Sequence, residues 1–133
     1  MRPQPLLCCD DVEATSRWYQ RLLGATSAHG GPHYERLEID GKLIMQLHAW
    51  DVEHHHGSMG DPKLPRGNGA VVWFESDDFD AVVARANDMR AEIVLGPVRN
   101  PPDGDGGPNH RELWLRDPNG YTVVVCSPDG EAG

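Results

Sequence analysis

The stretch LRDPNGYTV at residues 115–123 has the pattern of a strand, a tight turn and a second strand. A similar pattern occurs earlier as LEIDGKLIM at residues 37–45. Asn–Gly and Asp–Gly pairs favour the tight turns that join antiparallel strands. Each hairpin follows a segment that opens with paired aspartates and a helical pattern, DDVEA at residues 10–14 and DDFDA at residues 77–81. The sequence therefore predicts one small structural module that occurs twice.

The length and charge of the chain limit its function. With 133 residues it can form one ordinary domain, whereas each module alone is too small to fold well. The net charge of -9 argues against nucleic acid and anionic membranes as partners. No apolar run reaches bilayer length, and the three cysteines lack a disulfide or CxxC spacing. We expect no signal peptide, because residues 1–5 contain no long apolar region before the first strand. We expect a reduced, cytoplasmic protein that does not enter membranes.

The first module, about residues 4–50, begins with a short apolar strand and continues with a helical pattern. Asp11 suits the N-cap of this helix, and Gly24 suits its end. Apolar or small side chains recur between them at helical spacing: Val12, Thr15, Tyr19, Leu22 and Leu23. After a further short strand, residues 33–39 and 42–50 form the hairpin. The predicted order is strand, helix and three strands.

The second module, about residues 69–127, repeats this order. An apolar strand at residues 70–74 precedes a helix that Asp78 caps. A strand at residues 92–98 and the closing hairpin at residues 110–126 follow. The sequence therefore predicts a single α+β domain built from two βαβββ modules.

Three segments fall outside the repeat. Residues 51–68 form a linker loop that contains His54, His55 and His56. Residues 99–109 are too rich in proline and glycine for regular structure. The two helices start 67 residues apart and the two turns lie 79 residues apart, so this second loop accounts for the difference of 12. We expect the tail from Ser127 onwards to be frayed.

Four features together resemble a known superfamily. They are the helix opening DVEAT at residues 11–15, Trp18-Tyr19 within that helix, Leu23-Gly24 at its end, and LRDPNGY at residues 115–121. In this order they are similar to the vicinal oxygen chelate superfamily, which includes glyoxalase I, bleomycin-resistance proteins and extradiol dioxygenases. The resemblance covers about residues 4–128. It implies paired half-open cups of sheet with the helices outside, and a homodimer.

The resemblance also implies where a divalent metal would be bound, through four inward side chains of the first and last strands of each module. The corresponding positions of this chain are Gln4, Gln46, Ala70 or Val71, and Val124 or Val125. An amide oxygen binds a hard cation weakly, and an apolar side chain cannot bind one. We therefore do not expect glyoxalase I activity.

A second, histidine-rich set of residues is a candidate metal site. His48 lies two residues after Gln46 and shares its strand face, and His110 shares a strand face with Glu112. With loop histidines they give the set His48, His54, His56, His110 and Glu112, which suits Zn, Fe, Mn or Ni. Without a metal, His48, His110 and Glu112 are candidates for acid–base catalysis. The alternative is a solvated histidine loop and an ordinary surface pair.

The aromatic residues support a different hypothesis. Trp50, Phe74 and Trp114 form a candidate pocket in which an acidic protein stacks a planar cationic drug. Either Trp73 or Phe74 must face the cup, because neighbouring strand residues point to opposite faces. Arg111 is a candidate for holding an anionic group, and Gln4 and Gln46 complete the candidate ligand-binding set. The alternative is that these rings only fill the core.

Two functions follow from these patterns. The first is a lyase or dioxygenase that acts on a small oxygen-rich molecule through the histidine-rich site. The second is a non-catalytic small-molecule or drug-binding protein of the resistance type, which needs no cofactor. The enzyme is placed first because sequestration alone leaves His48 and the loop histidines unexplained.

Overall fold

The computed structural model describes residues 4–50, 61–66, 70–103 and 108–132 and divides the chain into two compact units, Met1–Arg66 and Gly67–Gly133. His54 and His56 lie outside the described residues, as does most of the predicted linker. The first unit contains β1 (Leu6–Cys9), α1 (Val12–Leu23), β2 (Thr26–Ser27), β3 (Tyr34–Ile39) and β4 (Lys42–Ala49). The second contains β5 (Val71–Glu75), α2 (Phe79–Asp88), β6 (Glu92–Asn100), β7 (His110–Arg116) and β8 (Thr122–Cys126).

Each unit forms a four-stranded mixed sheet of the same topology. The strand orders are β1-β4-β3-β2 and β5-β8-β7-β6. In each sheet the first and last strands of the unit pair in parallel, and the hairpin strands pair antiparallel. The predicted α+β fold and its internal repeat are therefore confirmed, because both units read βαβββ in sequence and in space.

Local capping explains where α1 and α2 begin. The side chain of Asp11 accepts a hydrogen bond from the backbone N–H of Ala14 at 2.9 Å. Asp78 accepts one from Ala81 in the same way at 3.1 Å. A carboxylate at this position satisfies an otherwise unpaired amide of the first turn. Within the described residues, neither helix is long and apolar enough to cross a membrane.

The turn at residues 117–121 shows why its motif is informative. The buried side chain of Asp117 accepts backbone hydrogen bonds from Asn119 at 2.8 Å and from Tyr121 at 3.0 Å. Gly120 has a φ of 92°, a backbone conformation that residues with a side chain rarely adopt. One carboxylate thus holds the whole turn between β7 and β8.

In the first unit, α1 packs on one face of the sheet. Met45 and Leu47 on this face are fully buried. Glu35, which pairs with Leu47, is also buried and accepts a hydrogen bond from Ser16 of α1 at 2.7 Å. Gln46 and His48 therefore lie on the opposite face, because side chains alternate along a strand.

Residues 127–132 of the C-terminal tail are held by hydrogen bonds, so the expectation that this part of the chain is frayed is wrong. Ser127 is buried. The backbone N–H of Gly130 donates to Pro108 at 2.8 Å, and that of Ala132 donates to Asn109 at 2.9 Å. These bonds hold the tail against the segment that precedes β7, which no local pattern in the sequence reveals.

Candidate ligand-binding face of the second unit

The sheet of the second unit has two chemically different faces. The strand register aligns Trp73 with Val124 and Val124 with Trp114. Glu112 aligns with Cys126, and alternation along β7 places His110 on the same side. We call this surface the Trp73 face, defined by Trp73, His110, Glu112, Trp114, Val124 and Cys126. The opposite face packs on α2 and buries Val72, Leu113, Leu115, Val123 and Val125.

Trp73 is a large side chain of this face that remains exposed to solvent. Its relative exposure is 46%, although it lies in the middle of a strand. Its ring centroid lies 6.1 Å from that of Trp114 in an edge-to-face arrangement with an interplanar angle of 85°. The ring of His110 lies 6.3 Å away, tilted by 37°. Aromatic groups at such distances attract one another, so the three rings support each other's orientation.

The indole of Trp73 is fixed by a hydrogen bond to sulfur. Its Nε1–H donates to the Sγ atom of Cys126 at 3.1 Å. Burial raises the pKa of the Cys126 thiol, and the Trp73 bond only partly offsets this effect. Cys126 is therefore a neutral acceptor that holds the ring and is poorly suited to be a nucleophile.

His110 lies between two carboxylates. Its Nε2 atom is 2.6 Å from Oε2 of Glu112, and its Nδ1 atom is 3.1 Å from Oδ1 of Asp129. The side chains of His110 and Glu112 are each only 6% exposed, whereas that of Asp129 is 78% exposed. Only the imidazolium form donates to both carboxylates at once. Of the two carboxylate partners of His110, Glu112 is buried and Asp129 is exposed to solvent.

Glu112 accepts hydrogen bonds from three side chains. Burial acts to raise the pKa of its carboxyl, but the bonds from Asn100, Trp114 and His110 outweigh it and lower that pKa below its ordinary value. Asn100 donates to Oε2 at 2.7 Å and the Trp114 indole donates to Oε1 at 2.8 Å. Glu112 is thus held ionised, and it fixes both His110 and Trp114.

Two predicted ligand-binding residues lie on the side of the sheet opposite to Trp114. Phe74 aligns with Val125, so it faces the α2 side and cannot share a face with Trp114 as expected; the β5 residue on the side of Trp114 is Trp73. Arg111 also lies on the α2 side. Its guanidinium donates to Asp80 at 2.7 Å and lies 4.7 Å from the ring centroid of Phe79, a residue of α2. Arg111 ties the sheet to α2 and does not reach the Trp73 face.

Arg111 also holds the C-terminal tail. Its Nε atom donates to Oε2 of Glu131 at 3.1 Å, and Nη2 donates to the second oxygen of that carboxylate. These bonds and the bond to Asp80 raise the pKa of Arg111 above its ordinary value, and the bond from Arg111 lowers that of Glu131. Arg111 is therefore the hydrogen-bond donor to two carboxylates of its own unit, Asp80 and Glu131.

In the first unit, the predicted pair on β4 is held in place by neighbours. The hydroxyl of Tyr34 donates to Oε1 of Gln46 at 2.7 Å. The Gln46 amide donates to the backbone carbonyl of Gln4 at 3.2 Å, so Gln4 contributes its main chain there. His48 is buried, and its Nδ1 atom lies 2.7 Å from the carbonyl of Ala49.

Trp50, the remaining predicted ligand-binding residue, lies at the end of β4 in the first unit. Its Nε1–H donates to Asp10 at 3.0 Å, and it lines an open cavity together with Asp10. Trp50 and Trp114 thus lie in different units, and each remains a predicted ligand-binding residue in its own setting.

The donor set does not fit the four-ligand metal centre that the resemblance implies. Val124 belongs to the Trp73 face, and Val71 points to the same side because it lies two residues before Trp73. The two valines are at the positions that correspond to Gln46 and Gln4 in the repeat. Neither valine has an atom that binds a cation, and the oxygen of Gln46 already accepts from Tyr34. Across residues 4–50, 61–66, 70–103 and 108–132, no three His, Cys, Asp or Glu side chains cluster to hold a metal.

Sequence reasoning missed several residues of this face. Asn100 was assigned to a loop, yet it ends β6 and aligns with His110. Asp129 belongs to the tail that was expected to fray. Alternation along β5 requires that either Trp73 or Phe74 faces the cup, and the predicted pocket contained Phe74.

Comparisons with known proteins agree with the fold. The sequence profile of the Glyoxalase/Bleomycin resistance protein/Dioxygenase superfamily matches residues 3–125. The anthracycline biosynthesis protein DnrV of Streptomyces peucetius is 30% identical over 96 residues, which cover 66% of this chain and 34% of that protein. The chain thus matches about a third of the length of this curated relative.

Solved structures show the same architecture at lower identity. An integron cassette protein of V. cholerae has a TM-score of 0.70 at 21% identity, and the match covers 96% of this chain and 94% of that chain. A lactoylglutathione lyase from Agrobacterium tumefaciens has a TM-score of 0.66 at 15% identity, with 94% and 92% covered. At these identities the likeness shows the fold alone.

Proposed function

Because the chain belongs to the Glyoxalase/Bleomycin resistance protein/Dioxygenase superfamily, we propose that it binds a small, planar, oxygen-rich aromatic molecule on the Trp73 face. The observation that carries the proposal is the indole of Trp73, which is 46% exposed yet anchored by Cys126. A rigid aromatic surface beside a few fixed polar groups is typical of small-molecule sites.

The face offers a planar ligand two kinds of contact. A flat ring system stacks on Trp73, with Trp114 as a lateral wall. In the imidazolium form of His110, an oxygen of the ligand replaces Asp129 as the acceptor of the Nδ1–H, while Nε2 stays bonded to Glu112. Because Asp129 is 78% exposed, it moves into water without burying its charge.

Two further observations favour this class of ligand. The name of the relative DnrV places that protein in anthracycline biosynthesis, and anthracyclines are planar fused rings that carry many oxygens. The net charge of -9 attracts cationic compounds over anionic ones. A planar aromatic amine rich in oxygen is therefore the first ligand to test.

A fluorescence titration with the anthracycline doxorubicin tests the proposal. We expect saturable binding that Trp73→Ala weakens about 30-fold, since truncation of a central aromatic anchor costs about 2 kcal/mol. Trp18→Phe, on α1, is the matched control and leaves the affinity unchanged. Binding that tolerates Trp73→Ala, or absence of binding across a panel of planar oxygen-rich aromatics, contradicts the proposal.

A second candidate is acid–base catalysis on the same ligand, and the position of His110 between Glu112 and Asp129 favours it. A histidine fixed by one carboxylate and turned towards a ligand oxygen donates or accepts a proton there. Mass spectrometry of each bound compound after incubation tests this activity. A mass change that disappears in His110→Gln, at ligand concentrations that saturate this variant, supports catalysis, and an unchanged mass leaves the binding function.

The metal-using form of the enzyme remains a proposal on the set His48, His54, His56, His110 and Glu112. Metal analysis of untagged protein grown with Zn, Fe, Mn and Ni tests it. Stoichiometric metal that is lost in His48→Ala supports this site. Metal-free protein under all four supplies contradicts it and leaves the binding function intact.

We also propose that the protein is a homodimer. The supporting observation is β6, an edge strand whose Val94 and Leu95 are 49% and 51% exposed. Exposed apolar edge strands associate readily with another chain. Light scattering should give twice the monomer mass for the native protein and the monomer mass for Leu95→Glu, and a native monomer contradicts the proposal.

A further inference from the structure

The first unit contains an open cavity that the proposed function does not use. It has a volume of about 430 Å³ and lies at the carboxyl ends of the parallel strands β1 and β4. Its walls include the flat apolar side chains Pro32, Trp50 and Pro62, and its polar groups include Asp10 and His33. This volume is within the range of small-molecule sites.

A cation of the protein itself contacts two of the residues that line this cavity. The Nη1 atom of Arg66 donates to Oδ1 of Asp10 at 3.0 Å, and its guanidinium carbon lies 5.5 Å from the centroid of the Trp50 ring. Trp50 donates its Nε1–H to the same oxygen of Asp10 at 3.0 Å. An aromatic face joined to a carboxylate therefore already holds one organic cation.

We infer that this cavity is a binding site for a small organic cation that carries a flat apolar group, and that Arg66 occupies the cation position when no ligand is present. The cation is attracted by the π-face of Trp50 and by the charge of Asp10. The apolar part of the ligand lies along Pro32 and Pro62. An anionic ligand is disfavoured because it would face Asp10.

Arg66 is suited to be displaced. Its side chain is 28% exposed and that of Asp10 is 61% exposed. Exposed ion pairs of this kind add little to stability, so an incoming cation exchanges with the guanidinium easily. A ligand binds only those molecules in which Arg66 has left the site, so the apparent affinity equals the intrinsic affinity multiplied by this open fraction. Removal of the arginine side chain restores the intrinsic affinity.

Titration of the full chain with benzylammonium chloride, followed by tryptophan fluorescence, tests the inference. Benzyl alcohol and sodium benzoate supply the same ring with no charge and with negative charge. We expect Arg66→Ala to bind benzylammonium about tenfold more tightly than the native protein, as for a site that is about nine-tenths occupied. The neutral and anionic analogues should bind neither protein measurably.

Three variants separate a specific site from general attraction to an acidic protein. Asp10→Asn in the Arg66→Ala background should weaken benzylammonium binding about tenfold, because a charged hydrogen bond becomes a neutral one. Trp50→Phe should remove the fluorescence response. Lys63→Ala, which removes a nearby exposed cation, should behave as the native protein.

The inference is overturned if Lys63→Ala enhances binding as much as Arg66→Ala, or if Asp10→Asn has no effect. It is also overturned if benzyl alcohol binds as well as benzylammonium. Circular dichroism and the Tm of each variant show that the unit remains folded. None of these results depends on the Trp73 face, because no variant changes a residue of the second unit.

Discussion

The Nε2 atom of His110 lies 2.6 Å from Oε2 of Glu112, and both side chains are almost completely buried. Glu112 also accepts hydrogen bonds from Asn100 and Trp114. One carboxylate therefore sets the orientation of an imidazole and of an indole on the same face. Glu112 therefore gives this face of the sheet a defined arrangement of aromatic and polar groups.

The first prediction concerns Glu112→Gln. The amide has one acceptor oxygen where the carboxylate has two, so at least one of the three donors loses its partner. We expect a loss of about 1–3 kcal/mol in the free energy of unfolding at pH 7. Urea unfolding measures it. Glu92→Gln on exposed β6 is the matched control, and an equal loss in both variants contradicts the role of Glu112.

A second prediction concerns Glu35 and acid. Burial acts to raise the pKa of Glu35, but bonds from Ser16 and Ser27 and from two backbone amides lower it below its ordinary value. A carboxyl with a lowered folded-state pKa stabilises the fold above its unfolded pKa, and this contribution is lost as the pH falls through the folded-state pKa. Glu35→Gln should therefore cost about 1–3 kcal/mol at pH 7.

The pH dependence of this variant is the sharper test. The difference in unfolding free energy between the native protein and Glu35→Gln should shrink as the pH is lowered below the unfolded glutamate pKa of about 4.3. Urea titrations at several pH values measure it. Glu38→Gln, whose partner Arg36 lies at 3.7 Å and has a side chain that is 44% exposed, should differ little from the native protein. A constant Glu35→Gln difference at every pH contradicts the prediction.

A third prediction concerns Gly96, which lies beside Glu112 in the β6–β7 pairing. A Cβ atom there would lie 2.6 Å from the backbone oxygen of Glu112, and the φ of Gly96 is 103°. Gly31 has a similar φ of 102° but nothing within 4 Å of such an atom. Gly31→Ala should therefore cost only backbone strain, about 1 kcal/mol, and Gly96→Ala should cost more because of the clash.

Thermal unfolding of both alanine variants measures this difference. Gly96→Ala should also lower the affinity for doxorubicin, since the clash displaces the strand that holds Glu112. If both variants unfold at the same temperature, β6 adapts to the methyl group and the close approach has no structural role.

A fourth prediction concerns Cys126. Because burial raises the pKa of its thiol, alkylation of Cys126 by iodoacetamide at pH 8 should be much slower than that of the amino acid cysteine in solution. Cys126→Ala removes the acceptor of the Trp73 indole and leaves that N–H without its sulfur partner. We expect weaker ligand binding with little change in the fold. Rapid alkylation of the native protein, mapped by peptide mass, contradicts the burial of this thiol.

The repeat could be predicted because its signals are local. The caps at Asp11 and Asp78 and the turn at residues 117–121 each act within a few residues, so the sequence displays them directly. The face of Trp73 could not be predicted, because alternation separates it from Phe74 without saying which residue faces α2. The pairing of β5 with β8 decides this, and that pairing joins segments about 50 residues apart.

The sequence alone was sufficient to predict that Arg111 lies on the face of β7 opposite to His110 and Glu112. If His110 and Glu112 share one face of β7, the residue between them must lie on the other. The partner Asp129 was not within reach, since the tail has no hydrophobic period and its contacts with β7 are set by tertiary structure. The same holds for Arg66, which meets Asp10 across 56 residues of chain.

The indole N–H resonances of the four tryptophans give the most direct test of the Trp73 face. They are assigned with single Trp→Phe variants and followed by NMR during a titration with doxorubicin. We predict that the Trp73 and Trp114 resonances shift together with one saturation curve, while that of Trp18 stays fixed. Shifts confined to Trp50, or no shift at Trp73 when the ligand is bound, would contradict the assignment of this face as the ligand site.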